Sequence, residues 1–325
     1  MKPTIRDVAK KANVSVSTVS RVINQKGYVH ESTKEAVDKA IRDLGFIPNQ
    51  LARSLTSRSS SIVGVIFPHI GPSFYGELLE GIESQATSYG YKIIFCHTND
   101  DPNRELEYIN FFEQYNIDGL IVASNFSNTE ALDNLNIPIV TIDHIWDENI
   151  PSITSDNVEG GYLAAKHFYE TGCKKVLLFR GPSFLLTTIE RTMGFMRFAD
   201  KVDMEVLIYD FDIVNPDFKL IKKTIVNNNG IDGIFAFSDT IAFVTSSALS
   251  DLKINVPGEV SLIGYDNSIF SKWNTPALTT INQSIKFLGQ QSLISLVKLI
   301  KNEPLEQFHE VVGVSLVLRE STKKI

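Results

Sequence analysis

A chain of 325 residues with 43% hydrophobic and 21% charged side chains is too long for one ordinary domain and can bury a sizeable core. It has no apolar run of about 18 residues that could span a membrane, and Met1-Lys2-Pro3-Thr4 opens without the apolar segment of a secretory signal. Its two cysteines, Cys96 and Cys173, exclude a disulfide framework and a cysteine zinc site, so a cytoplasmic protein is expected. The net charge of -7 speaks against a nucleic-acid partner only when taken whole. Residues 1–60 hold eleven Lys/Arg and five Asp/Glu, a balance of +6, which leaves -13 for residues 61–325. A small basic head on a large acidic body suggests that the head alone meets an anionic partner.

In chain order, Thr4-x-x-Asp7 has capping-box spacing before a helix carrying Val8, Ala9 and Ala12. Asn13-Val14 interrupts it, with Asn13 suited to a left-handed turn. Ser15 then caps a second helix carrying Val19, Val22 and Ile23. Ser32-x-x-Glu35 opens a third, with Ala36, Val37, Ala40, Ile41 and Leu44 on one face and Gly45 ending it. Pro48 opens a short helical stretch from Asn49 to Leu55, and the polar run Thr56 to Ser61 is a linker.

The first two helices, over about residues 5–24, have the size of a helix-turn-helix. Ala9 must be small where the second helix crosses it, and Val8, Val14, Val19 and Val22 fill the shared core. Val16, Ser17, Ser20, Arg21 and Asn24 are left to face outward. A second helix of this kind lies in the major groove, where Arg21 can bond a guanine edge or a phosphate and Val16 can touch a thymine methyl.

Beyond the linker the texture changes. Apolar runs at 62–67, 92–96, 119–123, 137–142, 175–179, 205–209, 233–237, 260–264 and 311–318 alternate with amphipathic stretches, such as that carrying Phe74, Leu78, Leu79 and Ile82. Short apolar strands joined by helices point to parallel sheets covered on both faces. The segment from Ile117 to Asn125 is echoed by Ile231 to Asp239, which suggests two similar α/β lobes with a cleft at their strand ends.

The chain resembles the lactose/galactose repressor (LacI/GalR) family of transcription factors. The resemblance rests in the head on Ile5-Arg6-Asp7-Val8-Ala9-Lys10-Lys11-Ala12-Asn13-Val14-Ser15, Thr18 to Asn24 and Pro48 to Leu55. In the body it rests on Asp156-Asn157, Glu159-Gly160-Gly161, Val260 to Asn267 and Thr275 to Ile281. These segments run in order from residue 2 to about 320. The fold implied is an all-α helix-turn-helix headpiece joined to an α/β two-lobed periplasmic-binding-protein-like core. Residues 1–47 would bind DNA, 48–60 would be hinge helix and linker, and 61–325 the effector-binding and dimerisation core. The first lobe would hold 62–156 and 286–309, and the second 160–281 and 315–325, with crossings near 157–161, 282–285 and 310–314.

The resemblance also implies that Val16, Ser17 and Arg21 read operator bases. Thr4, Ser15, Thr18, Ser20 and Asn24, with Asn49, Ala52 and Arg53 of the hinge, complete the DNA-contacting set. Leu55 would be a wedge pushed into a minor-groove step, and a helix of about eight residues is marginal alone in water, so it should form only on DNA beside a partner hinge. A homodimer on a pseudo-palindromic operator follows.

In the cleft, Phe74 and Tyr75 offer an aromatic face for a sugar ring or base, while Arg191, Asp239 and Asp266 fall where the family contacts effector polar groups. Other roles stay open for three of them: Asp266 as a helix cap, Arg191 as a surface ion-pair member and Phe74 as core. Asp143 and Asp156 are read as serving lobe structure. The stretch Pro182 to Ile189 departs from the family in being strongly apolar, which leaves the effector open. A carbohydrate or sugar phosphate ranks first and a purine-type corepressor second. A carbon-control regulator using a phosphoprotein partner ranks lower, since helix 286–301 carries only Lys286, Lys298 and Lys301.

An enzyme is not expected. The chain lacks nucleotide-loop, nucleophile-elbow and zinc-protease motifs, and its six histidines (30, 69, 97, 144, 167 and 309) have no metal-ligand spacing, so no cofactor or metal is anticipated. A transport solute-binding protein would suit the body but not the basic head.

Overall fold

The computed structural model describes residues 3–24, 27–46, 59–71, 74–123, 132, 135–146 and 148–324. Its contacts divide the chain into two units, Met1–Ser60 and Ser61–Ile325. In the first, α1 (Ile5–Ala12) starts where the Asp7 carboxylate accepts from the Thr4 N–H at 2.8 Å and the Thr4 hydroxyl at 2.7 Å. Asn13 ends it in the left-handed region, φ 54°. Ser15 Oγ accepts the Thr18 N–H at 3.1 Å and so opens α2 (Val16–Asn24). The third helix, α3 (Glu31–Leu44), begins just before Ser32, with His30 at the cap position and the Ser32 hydroxyl 2.9 Å from its Nδ1. Val8, Ala9, Val19, Val37 and Ala40 are buried at the centre of the three helices. The expected hinge helix, with Asn49, Ala52, Arg53 and Leu55, lies outside the described residues.

The second unit is built on two six-stranded sheets. The first carries β1 (Ile62–Phe67), β2 (Lys92–His97), β3 (Gly119–Val122), β4 (Ile139–Ile142), β5 (Ser152–Ser155) and β11 (His309–Val312), in the order β11-β5-β4-β3-β1-β2. Its pairings are parallel. The second carries β6 (Lys175–Arg180), β7 (Glu205–Asp210), β8 (Gly233–Ala236), β9 (Ser261–Asp266), β10 (Thr279–Asn282) and β12 (Ser315–Val317), in the order β12-β10-β9-β8-β6-β7. Only the β10–β12 pair is antiparallel.

The two orders correspond position by position, and the internal repeat falls on the matching strands β3 and β8. The repeated aspartate has the same task in each. Asp118 accepts the Ser61 N–H at 3.0 Å and Asp232 the Lys174 and Lys175 N–H groups at 2.8 and 2.9 Å, each tying down the start of the neighbouring strand.

Helices cover both faces of each sheet. The first lobe has α4 (Phe74–Tyr89), α5 (Pro102–Gln114) and α11 (Ile285–Ile300); the second has α6 (Asn157–Glu170), α7 (Leu186–Ala199), α8 (Phe218–Asn227), α9 (Asp239–Asp251) and α10 (Ile269–Trp273). Each sheet buries two apolar clusters, one per face. No described helix is long and apolar enough to cross a membrane.

The structure corrects the strand reading in two places. The run 311–318 is two strands in different sheets, so the first lobe reaches Val312 rather than ending at 309. The strands β5 (Ser-Ile-Thr-Ser) and β10 (Thr-Thr-Ile-Asn) were not anticipated because their residues are mostly polar. Three of their buried hydroxyls find partners inside: Ser152 with His309 Nδ1 at 2.9 Å, Thr279 with Thr322 at 3.0 Å, and Thr280 with Asp239 at 2.7 Å. The chain passes between lobes after β5, after β10 and between β11 and β12.

Candidate DNA-binding face and ligand cleft

On the head, Val16, Ser17 and Arg21 lie exposed along one side of α2. Val16 keeps 42% of its surface in solvent and is open to contact from a partner. Ser15 Oγ stands 2.8 Å from both Ser17 Oγ and Thr18 Oγ1, which fixes the first turn of the helix. Ser20 and Asn24 are half-buried and bonded to each other at 3.1 Å, so they sit at the edge of this face. Thr4 is exposed at the start of α1 with its hydroxyl engaged by Asp7.

In the body, the C-terminal ends of the central strands converge on a cleft between the two lobes, the place where an open α/β sheet offers a crevice. Its inner cavity encloses about 160 Å³. From the first lobe, His69, Phe74, Tyr75, Asp143 and His144 reach it. From the second come Thr188, Arg191, Ser238, Thr240 and Asp266, with Gln283 from the β10–α11 crossing. Four of the five residues expected here, Phe74, Tyr75, Arg191 and Asp266, are thus brought together.

Arg191 is the centre of the site. The backbones of α6 and α7 meet at Gly161 and Gly194. A Cβ on Gly161 would stand 2.1 Å from the Arg191 carbonyl, and one on Gly194 1.9 Å from that of Val158. This close crossing carries the Arg191 side chain into the interior, where only 8% of it is exposed. Its Nε donates to Asn157 Oδ1 at 2.9 Å, its Nη1 to the Phe237 carbonyl at 2.5 Å and its Nη2 to Gln283 Oε1 at 3.4 Å. The guanidinium lies 3.6 Å from the ring centre of buried Tyr265, a close cation–π stack. It is therefore no surface ion-pair member.

Two carboxyls share the cavity with it. Burial pushes Asp143 above the usual carboxylate range, against the pull of Arg191 and the Ser155 N–H. Asp266 is raised well above it by burial and then by the charge of Asp239. Gln283 Nε2 donates to Asp266 Oδ1 at 2.5 Å, so this amide bridges Asp266 and Arg191 from within the crossing. Asp266 does not cap α10; that helix start is held by Asp239, which accepts from the Ser268 N–H at 2.7 Å and the Ser268 hydroxyl at 2.9 Å. Phe74 is both core and wall, packed on the first-lobe cluster and facing the cavity. The Tyr75 hydroxyl is held neutral by burial and by the carboxylates near it.

Two expectations change. Asp239 is not at the cleft: it is fully buried, and its carboxylate lies against Gly264, where a Cβ would stand 2.4 Å from Oδ1. Its neighbours Ser238 and Thr240 face the cavity instead. Asp143, read as structural, lines the cavity, whereas Asp156 does serve structure by accepting the Glu159 N–H at the start of α6. Gln283 was missed because β10 was not recognised as a strand. The apolar stretch 182–189 is cleft wall, with Phe184 66% exposed at its rim and α7 starting within it. Among the described residues no group of three His, Cys, Asp or Glu could hold a metal ion.

A helix-turn-helix head on a two-lobed body with a polar cleft defines a ligand-responsive DNA-binding regulator. Comparison with known proteins agrees. Residues 4–49 match the model of bacterial regulatory proteins, lacI family, and residues 60–317 that of periplasmic binding proteins and sugar binding domain of LacI family. The ribose operon repressor of Halalkalibacterium halodurans is 35% identical over 98% of this chain and 97% of its own. The sucrose operon repressor of Streptococcus mutans is 36% identical over 98% of each chain. The periplasmic binding protein/LacI transcriptional regulator from Alkaliphilus metalliredigens, solved with D-xylulofuranose, has a TM-score of 0.74 and 33% identity over 81% of this chain and all of its own. The chain belongs to the LacI family of bacterial regulatory proteins, and it is a DNA-binding transcriptional regulator, not an enzyme.

Proposed function

We propose that the protein is a cytoplasmic repressor that binds a pseudo-palindromic operator as a homodimer and is controlled by a sugar in its interlobe cleft. The observation that carries the sugar reading is the lining itself. Carboxyls, hydroxyls, an amide and one guanidinium surround an aromatic wall, which suits a ring with hydroxyls on its rim and C–H groups on its faces. The inner cavity of about 160 Å³ fits one small ring, and it adjoins a recess of about 840 Å³ that shares His69, Phe184 and Leu185 with it. The relative solved with D-xylulofuranose supports the same reading.

Control requires a ligand that binds two states unequally. A sugar touching Asp143 and Tyr75 on one lobe and Arg191 and Asp266 on the other stabilises one angle between lobes. Gln283, bonded to two of these groups within a crossing, transmits the change to the chain between lobes. The 48–55 segment then carries it to the head, where Val16, Ser17 and Arg21 read bases and Asn49, Ala52, Arg53 and Leu55 engage the minor groove. The dimer is supported by an aromatic patch on the second lobe, in which half-buried Phe270 packs between exposed Phe243 and Trp273, the latter 69% exposed. Gel-shift titration of Leu55→Ala on operator DNA tests the arrangement. Weaker operator binding with unchanged sugar affinity is expected, and unchanged operator binding refutes the wedge.

A further inference from the structure

We infer that the cleft takes an uncharged sugar and rejects the phosphate ester of the same sugar. The inference rests on the sugar reading and narrows it, since composition and motif left free and phosphorylated sugars side by side. Among the described residues lining the inner cavity and the open recess outside it, Arg191 is the one lysine or arginine. The body segments outside the described residues (72–73, 124–131, 133–134, 147 and 325) contain no lysine or arginine in their sequence, so none of them can supply another.

Arg191 is also a cation with much of its bonding capacity already committed. Its three donor nitrogens already serve Asn157, Phe237 and Gln283, and its face is stacked on Tyr265. Three of its five N–H groups are thereby committed, and its single charge is already set against the buried Asp143 and Asp266, which leaves one N–H on each terminal nitrogen for a ligand. The histidines do not replace it. His69 Nε2 is engaged by Asp100, and burial holds His144 towards its neutral form.

The opposite charge is abundant. Asp143 and Asp266 share the inner cavity, and Asp212 lines the recess through which a ligand enters, beside Asp210, which is paired with Arg180, and Asp100, which is paired with His69. A carboxyl in such a place either repels a phosphate as an anion or, as an acid, offers a single donor. A sugar hydroxyl can donate to the first and accept from the second. The side of the cleft formed by Phe184, Leu185 and Leu186 offers no polar side-chain atom at all. One feature would welcome an anion: α7 starts at the cavity wall without an acidic residue in its first turn. Its N–H groups face the same space as two carboxyls, and hydroxyl oxygens can use them equally.

The test is calorimetric titration of the full chain with D-ribose and D-xylulose, each beside its 5-phosphate, with hypoxanthine as a further arm. The free sugar is expected to bind with its ester about 100-fold weaker, from repulsion at short range in a partly desolvated site. An ester within about tenfold of the free sugar, or tighter, overturns the inference while leaving the sugar reading intact. If neither form of any sugar binds and hypoxanthine does, the sugar reading itself falls. Thr187→Lys, which adds a cation at the half-buried start of α7, separates charge from shape. The ester should gain at least about tenfold relative to the free sugar; no relative gain means that the cleft excludes the ester by size, against the inference.

Discussion

Replacing Arg191 by Met keeps the length of the side chain and removes its charge and donors. Three acceptors, Asn157 Oδ1, the Phe237 carbonyl and Gln283 Oε1, then lose a charged donor, the first two of them at 2.9 and 2.5 Å, and Asn157 Oδ1 keeps only the Tyr265 hydroxyl at 3.4 Å. Asp143 and Asp266 lose the cation that offsets their burial. Breaking a buried charged network of this kind costs about 3–5 kcal/mol. At about 2–4 °C per kcal/mol for a domain near this size, the body's Tm should fall by roughly 6–20 °C. Ligand binding should suffer separately. A sugar at about 100 times its Kd stabilises the wild type by about 2.7 kcal/mol, a rise of roughly 5–11 °C. Loss of a charged hydrogen bond worth about 1.5–3 kcal/mol weakens binding by roughly 10- to 150-fold and so erases about half to nine-tenths of that rise. Differential scanning fluorimetry with and without sugar reads both effects. A variant that melts lower but keeps the full sugar-induced shift would show that Arg191 holds the second lobe together and leaves the ligand alone.

Three further outcomes follow from the geometry. Gly194→Ala places a Cβ 1.9 Å from the Val158 carbonyl, where ordinary contact begins at 3.4 Å, so α7 must shift and carry Arg191 with it. A destabilisation of about 1–3 kcal/mol with weaker sugar binding is expected, and unchanged binding would disconnect the helix crossing from the site. Burial pushes Asp239 and Asp266 above the ordinary carboxylate range, so the folded state binds protons more tightly than the unfolded chain. Their favourable contribution is therefore present below about pH 4 and is lost as pH rises through the raised values. The Tm of Asp239→Asn relative to wild type should accordingly rise between about pH 5 and pH 8, and a constant or falling difference contradicts the burial argument. Trp273→Glu should convert the dimer to monomer in analytical ultracentrifugation and weaken operator binding; a variant that stays dimeric moves the interface elsewhere.

Much of this was legible in the residues. The head could be read because its signals are local: a capping pair at Thr4 and Asp7, a left-handed Asn13, and valines at helical spacing. The parallel strands could be read because their apolar runs face core on both sides. Four features could not. The strands β5 and β10 are built largely of serine and threonine, several of whose hydroxyls are bonded in the interior, so composition marks them as turns. The fate of Asp239 was hidden because position in the chain cannot tell a strand-end carboxylate that faces a cleft from one, one turn away, that holds the start of a neighbouring helix. Asp143 was misjudged for the converse reason, since its partner Arg191 stands on another lobe. Gln283 went unseen with the strand that delivers it.

The central claim is that the cleft and the operator are coupled, and one thermodynamic cycle tests it. The sugar affinity of the full chain is measured by calorimetry with and without saturating operator, and operator affinity with and without saturating sugar. Coupling of about 1–3 kcal/mol predicts a shift of roughly 5- to 150-fold, of the same size in both legs of the cycle. Identical sugar affinity on and off the operator would contradict it.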